Sequence, residues 1–440
     1  MGCALWYTTR SQIAWNFLET KSLSMLRQMT VGALAVSVSL PIGFVSASKI
    51  LLVLVGMAVF WGCNPRPLRW RTRRPSVHTW IYISCLAMLA SGLWTQASDA
   101  MMWKSMSRHS TLLLIPLTYF MVETKKEAHW ALRAFVLGQL FVLASSWALF
   151  AGMSLPWQTA FDGNTGNQLA VFSSYLDQSI MASLFAAILW HGRTILATGW
   201  QRFGVVPACL AALGCVFFLL PGRTGQLVGL AMVSLWVMWQ LPSRLRLAAL
   251  CTPVIFTAAL FVFSKPVHDR FEASWAEAQA YSQGDARPTS IGFRLEAYRS
   301  ALVSIRTNPV AGTGAGSWGQ QYDAVQRAAG RPNENPTDGN PHQEFLLWGV
   351  ELGLGGIVLL LGILGSIFQL SLRMEVAARR ATQSALLATV IACLFNCALY
   401  DALIGDCLCV TLALCLAAGL KPDAKESAKN DRASYTPAVA

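Results

Sequence analysis

The stretch Asn340-Pro341-His342-Gln343-Glu344 stands immediately ahead of FLLWGVELGLGGIVLLLGILGSIFQL, residues 345–370. The second part is long and apolar enough for a membrane span, because a hydrocarbon core ~30 Å thick takes about 20 residues of helix. The first part closes a polar island, Ser264 to Glu344, in an otherwise apolar chain. A histidine at such a junction can meet a substrate that is part lipid and part water-soluble.

Working outward, the composition has the same sense. The chain is 54% hydrophobic and only 13% charged, with 17 Trp in 440 residues, which is the profile of a polytopic membrane protein. Apolar runs bounded by charge or turn residues predict spans over 29–47, 49–63, 77–96, 110–122, 130–152, 179–192, 204–221, 225–242, 247–264, 345–370, 382–400 and 404–420. The fold class is therefore an all-α polytopic membrane protein of about 12 transmembrane helices with one large outer loop domain. Spans one to nine fall in 1–263, the loop domain in 264–344, the last spans in 345–420 and a tail in 421–440. The segment before residue 29, with Arg10, Lys21 and Arg27, reads as an interfacial amphipathic segment without a signal-type cleavage site.

The formal net charge of +12 raises nucleic acid as a partner, but the distribution of the basic residues argues against it. Arg66, Arg69, Arg71, Arg73 and Arg74 follow span two, Lys125 and Lys126 span four, and Arg193 and Arg202 span six. Arg244 and Arg246 follow span eight, Arg373, Arg379 and Arg380 span ten, and Lys421 and Lys425 span twelve. Basic residues after even-numbered spans are what the positive-inside rule requires when both termini are cytoplasmic. Lys49, Lys104 and Arg108 are exceptions. The outer loop is neutral, as the rule permits.

Eleven cysteines do not read as a disulfide framework, since none lies between Ser264 and Glu344. Cys393, Cys397, Cys407 and Cys409 fall inside spans, where small residues let helices approach closely. The spacing of spans shows no inverted duplication, which weakens a transporter or flippase reading. Asp401 and Asp406 near the last spans are the acids most favourable to that reading.

Within the outer loop, Asp269 to Tyr281 favours a surface helix. A second helix is predicted over Gly292 to Ile305, where Phe293, Ala297 and Ala301 recur at spacings of four and Arg294 and Tyr298 form an adjacent row. Asn308-Pro309 ends it. Gly312, Gly314 and Gly316 follow as a flexible turn, and Gly330 to Pro341 as a polar loop.

The candidate chemistry rests on few residues. Arg223 sits in Pro221-Gly222-Arg223-Thr224-Gly225 at the outer start of span eight, where a charge near membrane depth needs a partner or a use. Arg294 has Tyr298 one turn further along the same face, and two outer arginines make a plausible clamp for a diphosphate. His342 can take a proton from a hydroxyl near neutral pH. The Gly312-x-Gly314-x-Gly316 spacing lacks the strand and helix of a nucleotide site. His109, His268 and His342 show no metal-ligand spacing, so metal-independent chemistry without a cofactor is expected.

In order and context these pieces resemble the O-antigen ligase and polymerase superfamily. The resemblance rests on the Gly-Arg-x-Gly turn at Arg223, Gly292-Phe293-Arg294-x-x-x-Tyr298, Asn308-Pro309-x-x-Gly312-x-Gly314-x-Gly316, Pro341-His342-x-x-Phe345-Leu346 and Glu351-Leu352-Gly353, and covers roughly residues 170 to 410. Gln343 and Tyr298 stand where the family often has Asn and Trp. The resemblance implies a type-C glycosyltransferase-like fold in the bacterial inner membrane with its loop domain and active site in the periplasm. It implies transfer of O-antigen glycan from undecaprenyl diphosphate to lipid A core, with membrane lipids around it and no nucleic acid. Carried onto this chain, His342 is catalytic, Arg223 and Arg294 bind the diphosphate, and Gln178, Tyr298 and Gly314 contact substrate. An O-antigen polymerase or a protein O-oligosaccharyltransferase shares the donor and differs in acceptor.

Overall fold

The computed structural model describes residues 22–62, 76–157, 169–196, 199, 201–251, 290–330 and 339–423, with scattered positions between 253 and 279. The regular elements among the described residues are helical. They are α1 (22–37), α2 (Ile42–Gly62), α3 (Val77–Ser91), α4 (Asp99–His109), α5 (Leu114–Met121), α6 (Lys125–Phe150), α7 (Tyr175–Leu196), α8 (Gln201–Gly214), α9 (Arg223–Gln240), α10 (Ser290–Thr307), α11 (Trp318–Ala328), α12 (Glu344–Ser371), α13 (Val376–Phe395) and α14 (Ala402–Leu420). A π turn, Cys215–Leu219, continues α8. Among these, the stretches Ile42–Phe60, Lys125–Phe150, Gln201–Leu219, Glu344–Ser371 and Ala402–Leu420 are long and apolar enough to cross a membrane. That fits a multi-pass membrane protein.

The core is built around α14, which is buried continuously from Ile404 to Ala418 and packs on α5, α6 and α13. Its alanines and buried thiols, Cys407, Cys409 and Cys415, keep the helix thin enough for neighbours to close in from several sides. Two exceptions to the charge rule are explained by this helix and its approach. Lys49 of α2 reaches the buried Asp406 at 2.8 Å, and Arg108 of α4 reaches Asp401 at 3.5 Å. A charge inside a bundle is tolerated when an opposite charge meets it. The acids expected to favour a transporter are thus paired with basic side chains.

Several boundaries differ from those expected. The first predicted span, 29–47, is divided because Pro41 starts a new helix, and 42–47 belong to α2. Span three stops at Ser91, and α4 is a separate helix before span four. Span four is itself a short 3₁₀ turn, Ser110–Leu113, leading into α5. The outer-loop helix over 292–305 is present as α10, with Ala297 and Ala301 fully buried. Helix α11 was not expected. Residues 1–21, most of Asp269 to Tyr281, and 331–338 lie outside the described residues, as does much of the ninth span, whose start forms a 3₁₀ stretch, Ser243–Cys251.

Candidate active site at the head of α12

Asn340-Pro341-His342 folds as a turn closed by a side chain. The His342 N–H donates to Asn340 Oδ1 at 2.9 Å, the Asx-turn bond that a short amide side chain makes two residues on. His342 takes φ 53°, a left-handed conformation that histidine adopts more readily than branched residues but still uncommonly. The helix then starts at once. Gln343 caps α12, its Oε1 accepting from the Leu346 N–H at 2.5 Å, so His342 is held just outside the first turn.

Helix α10 lies across this turn with its Arg294 and Tyr298 row toward it. The Tyr298 hydroxyl donates to the His342 carbonyl at 3.4 Å, and the Phe293 ring meets the imidazole edge to face at 5.8 Å. Burial and the Arg294 guanidinium both hold the His342 pKa below its ordinary 6.5. Burial pushes the Tyr298 phenol up, with Arg294 opposing it. One cation therefore acts on both rings, and the imidazole is kept neutral near pH 7.

Two carboxylates on α12 fix this turn to the bundle. Glu344 is fully buried; its Oε1 accepts from Trp348 Nε1 at 3.1 Å, and its Oε2 accepts from the Leu399 N–H at 3.0 Å and the Tyr400 N–H at 3.3 Å. Those amides belong to the non-helical segment between α13 and α14, and Glu344 supplies the acceptor its backbone would otherwise lack. Two turns along, Glu351 accepts from Ser105 Oγ and the Gly316 N–H at 2.7 Å each and pairs with His109 Nε2 at 2.7 Å. His109 in turn stands edge to face against Trp348 and Tyr400.

The glycine turn is seated by the same helix. Gly353 takes φ 66°, ψ −158° inside α12, a conformation essentially reserved for glycine. The kink frees backbone acceptors for the loop, so Thr313 N–H donates to the Val350 carbonyl at 2.8 Å and Gly314 N–H to the Glu351 carbonyl at 3.0 Å. Gly314 is buried with φ +91°, and a Cβ there would lie 2.4 Å from Thr95 Cα. Gly314, expected to contact substrate, is packed closely between α12 and the end of α3.

Gln178 also differs from its expected place. Its side chain is buried, with Oε1 accepting from the Val171 N–H at 2.7 Å and Nε2 donating to Ser146 Oγ at 2.6 Å. Both ends of the amide tie α7 to α6 and the preceding loop, which leaves little for a substrate. Arg223 is exposed at the first residue of α9. The close approach signalled by Gly222 and Gly225 is to Ser179 of α7, which a Cβ at either position would overlap. A scaffold, rather than a contact, joins Arg223 to His342: Asn396 Nδ2 donates to Thr224 Oγ1 at 3.1 Å, and the following Leu399 and Tyr400 amides bind Glu344. This 396–400 segment was missed in the sequence, although Asn396 as a polar break in an apolar run was a signal that could have found it.

The histidine turn, the arginine row and the kinked helix head lie in one part of the chain. Residues 207–361 match the O-antigen ligase family model. The expected resemblance to the O-antigen ligase superfamily is supported over that segment, which is less than half of the chain. The matched range contains Arg223, Arg294, Tyr298, Gly314 and His342 and leaves out Gln178. That family has ligase- or polymerase-type activity, that of glycosyltransferase-like enzymes with lipid-linked glycan and acceptor substrates. No curated protein matches the chain.

Proposed function

We propose that this chain, as an O-antigen ligase superfamily member, transfers O-antigen glycan from undecaprenyl diphosphate to lipid A core at the periplasmic face of the inner membrane, with both termini in the cytoplasm. The observation that carries the reading is the meeting of His342, Tyr298 and Arg294 at the head of α12, inside the family-matched segment.

In this reading the His342 imidazole accepts the proton of the acceptor hydroxyl as its oxygen bonds to the anomeric carbon. The bond from that carbon to the diphosphate breaks, and the undecaprenyl diphosphate leaves with the electron pair. Arg294, beside the imidazole, and Arg223, at the start of α9, meet the charge that grows on the leaving group. Guanidinium groups then do the work of a metal ion, and the reaction is metal-independent. Tyr298 is a positioning residue, holding the His342 main chain. Gln178 and Gly314 support the fold around the site.

The test in cells uses a strain that makes and flips the O-antigen repeat unit but lacks this gene. His342→Ala introduced there is expected to leave lipid A core uncapped on a gel, and normal capping would contradict the catalytic role. Core carrying a single repeat unit after deletion would instead support the polymerase.

A further inference from the structure

Helices α7, α9 and α13 pack on one another, and their ends opposite His342 bring together arginines that are far apart in sequence. Arg193 is in the last turn of α7, Arg246 in the 3₁₀ stretch after α9, and Arg379 and Arg380 near the start of α13. The charges that act on Arg380 are those of Arg379, Arg193 and Arg246, all of one sign. Among the described residues, Glu375, just ahead of α13, is turned to Lys125 at 3.0 Å. Like charges held together repel, so the cluster needs an anion.

Tryptophans hold the cluster in place. The Arg193 guanidinium lies 4.4 Å from the Trp190 ring centroid and donates to the Trp190 carbonyl at 2.7 Å. Arg380 lies 5.3 Å from the Trp239 ring and reaches the Trp239 carbonyl at 3.4 Å. His191 also meets the Trp239 ring edge to face, at 4.7 Å, and Trp190 meets Trp236 at 5.6 Å. Indoles of this kind settle at the depth of lipid headgroups, which puts the arginines level with phosphate. Guanidinium groups match phosphate oxygens in pairs, and basic clusters between transmembrane helices recruit anionic headgroups.

We propose that Arg193, Arg246, Arg379 and Arg380 form a binding site for the phosphate headgroup of an anionic phospholipid in the leaflet opposite His342. The site is separate from the transfer chemistry, and its occupant ties α7, α9 and α13 at the ends that do not carry the reaction.

The test uses the full chain purified in an uncharged detergent, with bound lipid counted by native mass spectrometry and the unfolding midpoint followed as lipid is added. Phosphatidylglycerol and cardiolipin are expected to bind and stabilise, whereas phosphatidylcholine and inorganic phosphate at equal concentration do neither. The triple variant Arg193→Gln, Arg246→Gln, Arg380→Gln is expected to weaken anionic-lipid binding on the order of a hundredfold, and the matching lysine variant to keep most of it. Should the triple variant fail to fold, the single exposed change Arg246→Gln is expected to weaken binding roughly fivefold. Equal binding of anionic lipid by the wild type and the glutamine variants would overturn the proposal. So would equal binding of phosphatidylcholine, and stabilisation by inorganic phosphate alone would mark a soluble-anion site instead.

Discussion

Tyr298 of α10 donates its hydroxyl to the main-chain carbonyl of His342 at 3.4 Å, so this side chain holds the backbone of the histidine turn while Phe293 of the same helix meets its ring. That bond does not engage the imidazole nitrogens. Removing the hydroxyl with Tyr298→Phe is expected to loosen the turn, lowering kcat severalfold with KM for donor little changed. Replacing the ring with Tyr298→Ala is expected to do more, because a half-buried ring is removed along with the hydroxyl. Steady-state kinetics of the two variants check this order.

Arg294 sets the acid side of the pH profile. Burial and the Arg294 charge depress the His342 pKa below 6.5, and a group that must accept a proton works only when neutral. Activity is therefore expected to persist below pH 6.5 and to fall as pH drops through the depressed value. Arg294→Gln removes one cause of the depression, so the pKa rises and the acid limb of kcat/KM moves to higher pH. A limb that stays in place would separate Arg294 from the imidazole.

Glu351 is a stability residue. Its carboxylate joins α4, the glycine turn and α12 through Ser105, His109 and the Gly316 N–H. Glu351→Ala strands those donors in a buried place and is expected to destabilise the protein by about 3 kcal/mol, visible as a lowered thermal midpoint. Glu351→Gln keeps the shape and is expected to lose less. Equal midpoints for wild type and Glu351→Ala would show the network to be dispensable.

At Gly353 the backbone itself is the constraint. An added Cβ would lie 2.6 Å from the Pro309 carbonyl oxygen on a backbone at φ +66°, so Gly353→Ala is expected to cost about 2 kcal/mol or more. Gly365, further along the same helix, has nothing within 4 Å, and Gly365→Ala is expected to be neutral or slightly stabilising. Comparing the two midpoints separates the kink from helix propensity.

Much of this was legible in the chain. The spacing of Phe293, Ala297 and Ala301 marks α10, and the alanines are indeed its buried face, because one helical stripe records what a helix packs on. Asn308-Pro309 stops it for a local reason, the bar on helix before proline. The packing around Gln178 and Gly314 was not legible. A buried amide satisfied by Ser146 and Val171 looks, in sequence, like an amide facing a ligand, and a glycine under Thr95 looks like a flexible one. The segment 396–400 depends on a carboxylate at Glu344, more than fifty residues earlier, and no window of local sequence holds both. Likewise, basic residues after separate spans encode sidedness one loop at a time, and only the packing of α7, α9 and α13 shows that Arg193, Arg246 and Arg380 converge.

The central claim is tested most directly by supplying the purified protein with undecaprenyl-diphosphate-linked O-antigen and lipid A core, with and without a metal chelator, alongside the His342→Ala variant. The account predicts glycan-bearing lipid A core in both conditions for the wild type and a rate lower on the order of 10²- to 10⁴-fold for the variant. Undiminished product from His342→Ala would contradict it, as would lengthening of the donor glycan with lipid A core left bare.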